Sequence, residues 1–161
     1  MKKLVIVTDA WHPQVSGVVN CYVKMCELLP KRGYEVSVIH PGLFRTVPMP
    51  SYPEIRLAIF PRRKLKRMLD DQRPDSIHIA VEGPLGLAAR SLCKAQSLPF
   101  TSCYHTHFQM YLAMRSFDFL SPIAYAFLRW FHNSGTRTMV ATESLKRELG
   151  AHGFENLVLL T

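Results

Sequence analysis

A short aliphatic run, Leu4-Val5-Ile6-Val7-Thr8, breaks into Asp9-Ala10-Trp11-His12-Pro13-Gln14-Val15-Ser16-Gly17-Val18-Val19, and a helical pattern follows at once. The run is continuous and rich in β-branched residues, as in a strand buried on both faces. From Val18 to Arg32 apolar residues recur at helical spacing, through Val19, Tyr22, Val23, Cys26, Leu29 and Pro30, with Gly33 as the stop. A buried strand that turns into a helix is the repeating unit of a parallel α/β sheet. The same order of elements exposes the free N–H groups of a helix start, where the helix dipole favours negative charge. Gly17 has no Cβ, so a ligand can reach the backbone there. The stretch therefore predicts a phosphate-bearing ligand, a nucleotide sugar or a phospholipid; the alternative is a tight turn that binds nothing. It is neither GxGxxG nor a P-loop, which disfavours a dinucleotide site and a Walker-type ATPase.

The alternation continues along the chain. Strands are expected at Glu35 to His40, Ile55 to Phe60, Ser76 to Ala80, Phe100 to Tyr104, Thr138 to Ala141 and Leu157 to Leu160. Helices are expected at Arg62 to Asp71, Gly83 to Gln96, Pro122 to Ser134 and Glu143 to His152. Residues 43 to 53 carry Pro48, Pro50 and Pro53 and are expected to form a loop. Residues 105 to 119, rich in aromatics and Met, read as a long loop or broken helix. The sum is an α/β fold, a Rossmann-like, doubly wound and mainly parallel sheet, with no internal repeat. Its last strand has no helix after it, so the chain reads as one half of a larger enzyme.

Composition narrows the partners. The 161 residues suffice for one domain with a good core, and 48% hydrophobic with 20% charged residues argues against disorder. The formal net charge of +8 points to an anionic partner: a membrane surface, a nucleic acid or a phosphorylated substrate. The cysteines, Cys21, Cys26, Cys93 and Cys103, form no CxxC pair and read as small buried hydrophobes in a reducing cytosol. The N-terminal apolar run is too short for a signal peptide and no run is long enough to span a bilayer. The expected location is cytoplasmic, soluble or peripheral on the inner face of a membrane.

Ligands of an open parallel sheet bind beyond the carboxyl ends of its strands. After the successive strands come Asp9, Ser16 and Gly17; Glu82 and Gly83; His105, Thr106 and His107; and Thr142 and Glu143. Polar, titratable groups gathering at one edge are more telling than any one of them. His105 and His107 stand two apart, as two ligands of one metal can, yet spacing supplies no third ligand. The alternatives are one His bonding a substrate hydroxyl or phosphate, or both being structural. Thr142 is the expected cap of the helix that follows, with Glu143 favoured there by the dipole. Glu82 either begins a helix or holds a hydroxyl. Five of the six residues from Arg62 to Arg67 are basic, namely Arg62, Arg63, Lys64, Lys66 and Arg67, with Leu65, Met68 and Leu69 on one face. This is either a solvated helix face or a contact with anionic lipid. No nucleic-acid recognition motif accompanies these charges.

Taken together, Thr8 through Val18, Gly33-Tyr34-Glu35-Val36, Arg73-Pro74-Asp75-Ser76-Ile77-His78, Glu82-Gly83-Pro84-Leu85-Gly86, Tyr104-His105-Thr106-His107-Phe108 and Arg129-Trp130-Phe131-His132-Asn133 resemble the N-terminal domain of GT-B glycosyltransferases of family 4. The resemblance covers nearly the whole chain, 1–161, and is nearest to GDP-mannose-dependent α-mannosyltransferases and glycolipid synthases. It implies an acceptor-side half of a retaining hexosyltransferase, with no metal and no cofactor. A nucleotide-diphosphate sugar, GDP-mannose first, would be the donor, and a lipid or glycan the acceptor. A C-terminal domain that binds the donor belongs to the family and is absent from this sequence. The resemblance makes His105 the contact to the transferred sugar and the Ser16-Gly17-Val18 turn a contact to donor phosphate or acceptor; Asp9, Glu82, Thr106 and His107 complete the expected substrate-binding set. Trp11-His12 departs from the Phe or Tyr followed by Pro that is commoner in the group. Alone, this half is expected to be inactive. The competing expectation is a non-catalytic module that binds anionic lipid or a phosphorylated ligand.

Overall fold

Val5, Ile6 and Val7 are sealed from solvent, at 1%, 0% and 0% exposure, because helices cover the faces of their strand while parallel strands pair its two edges. The computed structural model describes residues 1–50, 52–105 and 121–160. The chain divides into two units, Met1–Phe100 and Thr101–Thr161. The first runs β1 (Lys2–Val7), α1 (Gly17–Leu28), β2 (Tyr34–Ile39), β3 (Thr46–Met49), β4 (Tyr52–Ala58), α2 (Arg62–Gln72), β5 (Ser76–Ile79) and α3 (Pro84–Ala95). Strand β1 is central, with Ile6 opposite Val38 of β2 on one side and His78 of β5 on the other. Tyr22 and Val19 of α1 are buried, and Ile6, Tyr22 and Ala80 form a core cluster. The Tyr22 hydroxyl lies 2.8 Å from His78 Nε2, so two buried polar groups satisfy one another.

Two sequence expectations change here. The first helix stops at Leu28 rather than Arg32, and Pro30–Arg32 form a 3₁₀ turn. Pro30 has no N–H to donate and its ring crowds the carbonyl four residues back, which ends an α-helix. Gly33 closes the turn at φ +84°, the left-handed region that glycine enters without strain. Much of the loop expected at residues 43 to 53 is strand instead. Thr46–Met49 pair antiparallel with Tyr52–Ala58. A two-stranded ribbon has edges on both sides, and prolines are tolerated there; Pro48 sits opposite Arg56, and the register shifts between Pro48 and Met49. The strand expected at Ile55 to Phe60 accordingly begins at Tyr52 and ends at Ala58.

The second unit takes in β6 (Phe100–Cys103) from Thr101 onward, then α4 (Ser121–His132), β7 (Arg137–Val140), α5 (Glu143–Ala151) and β8 (Leu157–Leu159). Its strands are parallel, with Ser102 opposite Thr138 and Met139 opposite Val158. Tyr104, Leu128, Val140, Leu145, Leu149 and Phe154 make its core. Thr142 caps α5 as its position foretells, accepting a hydrogen bond from the Leu145 amide at 3.1 Å. The main strands of both units are parallel and joined by helices, the expected α/β architecture.

A buried polar latch ties the second unit together. Ser102 Oγ lies 2.7 Å from His132 Nδ1 and 3.3 Å from Thr138 Oγ1. A Ser–His pair at this distance is also the geometry of an activated nucleophile. Here both residues are closed to substrate, at 0% and 1% exposure, and the pair is architectural. Ser102→Ala takes a partner from two buried groups and should lower the unfolding free energy by about 1–3 kcal/mol, measured by urea denaturation. An unchanged midpoint would show the latch to be dispensable.

Candidate functional site at the β1–α1 turn

The site begins where β1 ends. Thr8 is buried; its Oγ1 donates to the Ala10 carbonyl at 2.8 Å and accepts from the Ala10 amide at 3.1 Å. This tight turn leaves Asp9 only 6% exposed, facing the start of α3. The α3 N-cap is Gly83, which has no side chain to offer, and Pro84 follows without an N–H. Asp9 supplies the missing cap from another element. Its Oδ1 accepts from the Leu85 amide at 2.8 Å and its Oδ2 from the Gly86 amide at 3.0 Å. Both glycines are sterically required. A Cβ on Gly83 would lie 2.4 Å from Asp9 Cγ, and one on Gly86 would lie 1.9 Å from the Val81 carbonyl oxygen.

Helix α1 starts differently. Ser16 caps it with backbone φ −156° and ψ 164°, its Oγ accepting from the Val19 amide at 3.3 Å. The Asn20 amide reaches the Ser16 carbonyl at 3.0 Å. Among the described residues no hydrogen bond is made by the Gly17 and Val18 amides. Gly17 is exposed, and a Cβ there would meet nothing within 4 Å. The Val18 side chain packs against the Ile6–Tyr22–Ala80 cluster, so only its backbone is available to a ligand. Of two neighbouring helix starts, the protein closes one with its own carboxylate and leaves the other open.

Beside the turn lies a cleft of about 170 Å³, lined by Trp11, His12 and Gln14 of the turn, by Phe44, and by Thr46, Glu54 and Arg56 of the β3–β4 hairpin. Trp11 also faces His40, ring centroids 6.0 Å apart. Burial, and secondarily the charge of His12, lowers the His40 pKa and favours its neutral form. The hairpin wall is hidden in the sequence because its three prolines argue for a loop.

The other expected site residues fall as follows. Glu82 is half-buried, and its charge pushes the Asp9 pKa upward. His105 belongs to the second unit, half-buried just after β6, with Nδ1 3.8 Å from Cys103 Sγ. Thr106 and His107 lie outside the described residues. Arg62, Arg63, Lys64, Lys66 and Arg67 are all exposed on α2, while Leu65 and Leu69 are buried at 0% and 5%. Lys66 pairs with Asp70 at 2.5 Å, and Lys64 bonds the Leu43 carbonyl and lies 5.4 Å above the Phe44 ring. Phe60, just before α2, is 93% exposed. No helix among the described residues is long and apolar enough to cross a membrane.

Comparison with known proteins gives the family of the chain. The model of Glycosyltransferase Family 4 matches residues 15–159. The chain belongs to glycosyltransferase family 4. It is similar to a sulfoquinovosyl transferase of Arabidopsis thaliana, 26% identical over 152 residues, a match spanning 86% of this chain and 30% of that protein. It is also similar to a GDP-mannose-dependent alpha-mannosyltransferase of Mycolicibacterium smegmatis, 25% identical, spanning 93% of this chain and 44% of the relative. The chain thus spans less than half the length of these relatives. A UDP-GlcNAc 2-epimerase from Methanocaldococcus jannaschii shares the fold, with TM-score 0.57 and 12% identity, over 99% of this chain and 45% of that one.

The Asp9 cap makes the stability of this family 4 chain depend on pH. Burial raises the Asp9 pKa from 3.8 to about 6, against the lowering pull of the Leu85, Gly86 and Gly83 amides. The folded state therefore holds this proton more tightly than the unfolded chain does. Stability from this group is complete below the unfolded value and is lost as pH rises through the folded one, by up to about 3 kcal/mol. Asp9→Asn keeps one acceptor oxygen and does not titrate. In urea denaturation from pH 4 to 7.5, the stability of the natural chain relative to Asp9→Asn should fall by about 2–3 kcal/mol. A difference that stays constant across this range would refute the assignment.

Proposed function

We propose that this chain is the acceptor-side half of a retaining hexosyltransferase. It takes part in moving a hexose, mannose the first candidate, from a nucleotide-diphosphate sugar to a hydroxyl of a lipid or glycan. The observation that carries the reading is the open start of α1, two partnerless amides and an unobstructed Gly17 at the carboxyl end of β1. Membership of family 4 and the printed donor of the mannosyltransferase relative support it. In this reading a second domain, which the family resemblance implies, holds the nucleotide.

The chemistry demands charge stabilisation. The bond between the anomeric carbon and the diphosphate oxygen breaks, and its electron pair stays on the leaving phosphate. The acceptor oxygen bonds to the anomeric carbon on the same face, and its proton passes to a leaving phosphate oxygen. Negative charge therefore grows on the diphosphate as positive charge grows on the sugar ring. Fixed amides at a helix start oppose the first without having to reorient. His105 is assigned to a hydroxyl of the transferred sugar, together with Thr106 and His107.

The test separates folding from function. Gly17→Ala meets no neighbour, so the thermal midpoint should hold or rise slightly. The added methyl would occupy the approach of the ligand. In the full-length enzyme with GDP-mannose, kcat/KM should fall about tenfold to hundredfold. His105→Ala should cost a similar factor. Undiminished transfer by both variants would sink the assignment. Absence of transfer by the natural enzyme with any nucleotide sugar would favour a non-catalytic binding module.

The same reading assigns α2 to an anionic membrane surface on the cytoplasmic side, because its cations are all solvent-facing beside exposed Phe60. Each basic residue near such a surface contributes about 1 kcal/mol. Arg62→Glu/Arg63→Glu/Arg67→Glu spares the locally bonded lysines. Sedimentation with phosphatidylglycerol vesicles should fall at least about hundredfold in partition coefficient, with little binding to phosphatidylcholine in either form. Equal binding to both lipids would exclude the electrostatic contact.

A further inference from the structure

Two adjacent residues of strand β6 each meet an imidazole. Ser102 Oγ lies 2.7 Å from Nδ1 of His132, and Cys103 Sγ lies 3.8 Å from Nδ1 of His105. Side chains alternate along a strand, so the two contacts lie on opposite faces of β6. The first is the sealed latch of the second unit. The second stands at the carboxyl end of the strand, where His105 is half-buried and Cys103 is only 4% exposed. A partly open ring thus rests on a closed thiol.

The residue between them fixes this geometry. Tyr104 keeps the chain in register beyond β6, its amide donating to the Met139 carbonyl at 2.9 Å. Its ring is buried in the core with Leu128, Val140 and Leu149 and stands edge-on to Phe154, centroids 6.0 Å apart. With Tyr104 held on one face, Cys103 and His105 fall together on the other.

The chemistry of the pair gives the contact a direction. A neutral imidazole has one N–H and one bare nitrogen, and the bond made by one nitrogen settles the state of the other. Sulfur accepts weakly, whereas a bare imidazole nitrogen accepts well. The better arrangement has the thiol S–H donating to Nδ1, which places the ring hydrogen on Nε2. A bond of this kind orients the ring without locking it as the Ser102 hydroxyl locks His132.

We propose that Cys103 is a positioning residue: its S–H donates to Nδ1 of His105 and holds the ring so that Nε2–H donates to an oxygen of the bound sugar. The proposal rests on the transferase reading above, which assigns His105 to a hydroxyl of the transferred sugar, and it names the atom that makes the contact and the group that sets it.

Infrared spectroscopy of the full-length enzyme reads the bond without any turnover. The S–H stretch falls where no other protein group absorbs, and it moves to lower frequency when the thiol donates. The Cys103 band is the one missing from Cys103→Ala, and it should move to higher frequency in His105→Ala. A band that does not move would overturn the proposal. Transfer from GDP-mannose tests the consequence. Cys103→Ala should lower kcat/KM about fivefold to tenfold, and Cys103→Ser, whose hydroxyl also donates, should recover to within about twofold of the natural enzyme. Combined with His105→Ala, Cys103→Ala should cost nothing further, because the group it positions is gone. Full activity in Cys103→Ala, equal losses in the Ala and Ser variants, or a loss that adds to that of His105→Ala would overturn the positioning role. A band that moves while His105→Ala transfers sugar undiminished would support the thiol bond and count against the transferase reading of His105 alone.

Discussion

The first unit depends on one long-range hydrogen-bonded pair: the Asp9 carboxylate and the two amides that open α3. Helix starts leave orphan N–H groups, and an uncapped start within a protein is costly. Here the local sequence cannot provide the cap, because Gly83 has no side chain. A residue 76 positions earlier does so. The contact joins the end of β1 to the start of α3. It therefore fixes the level at which the β1–α1 turn leaves the sheet. The arrangement has an electrostatic cost, since burial disfavours the ionised acid more than three amides favour it. The chain accepts that cost at the point where its ligand is expected.

Much of the architecture is legible in sequence because its causes are local. The continuous aliphatic run of β1, the helical spacing of α1 and the capping Thr142 each act within a few residues. Gly33 and Gly153, both at φ +84°, close turns for the same reason. The hairpin was not legible, because three prolines read as punctuation while the ribbon's free edges make them harmless. The end of α1 is not legible because an apolar residue at Pro30 fits the periodicity and its missing N–H does not register in a hydrophobic pattern.

The site was legible in its turn and less so in its walls. Ser16, Gly17 and Val18 occupy the helix start that their order predicts. Asp9 reads in sequence as a ligand contact, and in the structure it bonds the Leu85 and Gly86 amides, distant in sequence. A glycine-proline helix start with no capping side chain was the available clue that a carboxylate from elsewhere must complete it. Glu54 and Arg56 gave no signal of their own. An acidic and a basic residue two apart on a ribbon look like ordinary surface until the fold brings Trp11 beside them.

Helix α2 has a mechanical property that its charge does not convey. Leu65 and Leu69 are buried, so the helix is keyed into the unit and its cations form a fixed plate rather than a flexible tail. A tail can engage charges one at a time and loses conformational entropy with each. A plate has already lost that freedom in folding, so its cations meet a surface together or not at all. Attachment of this kind responds steeply to surface charge density and to salt, and it gives the unit one preferred face toward whatever it lands on.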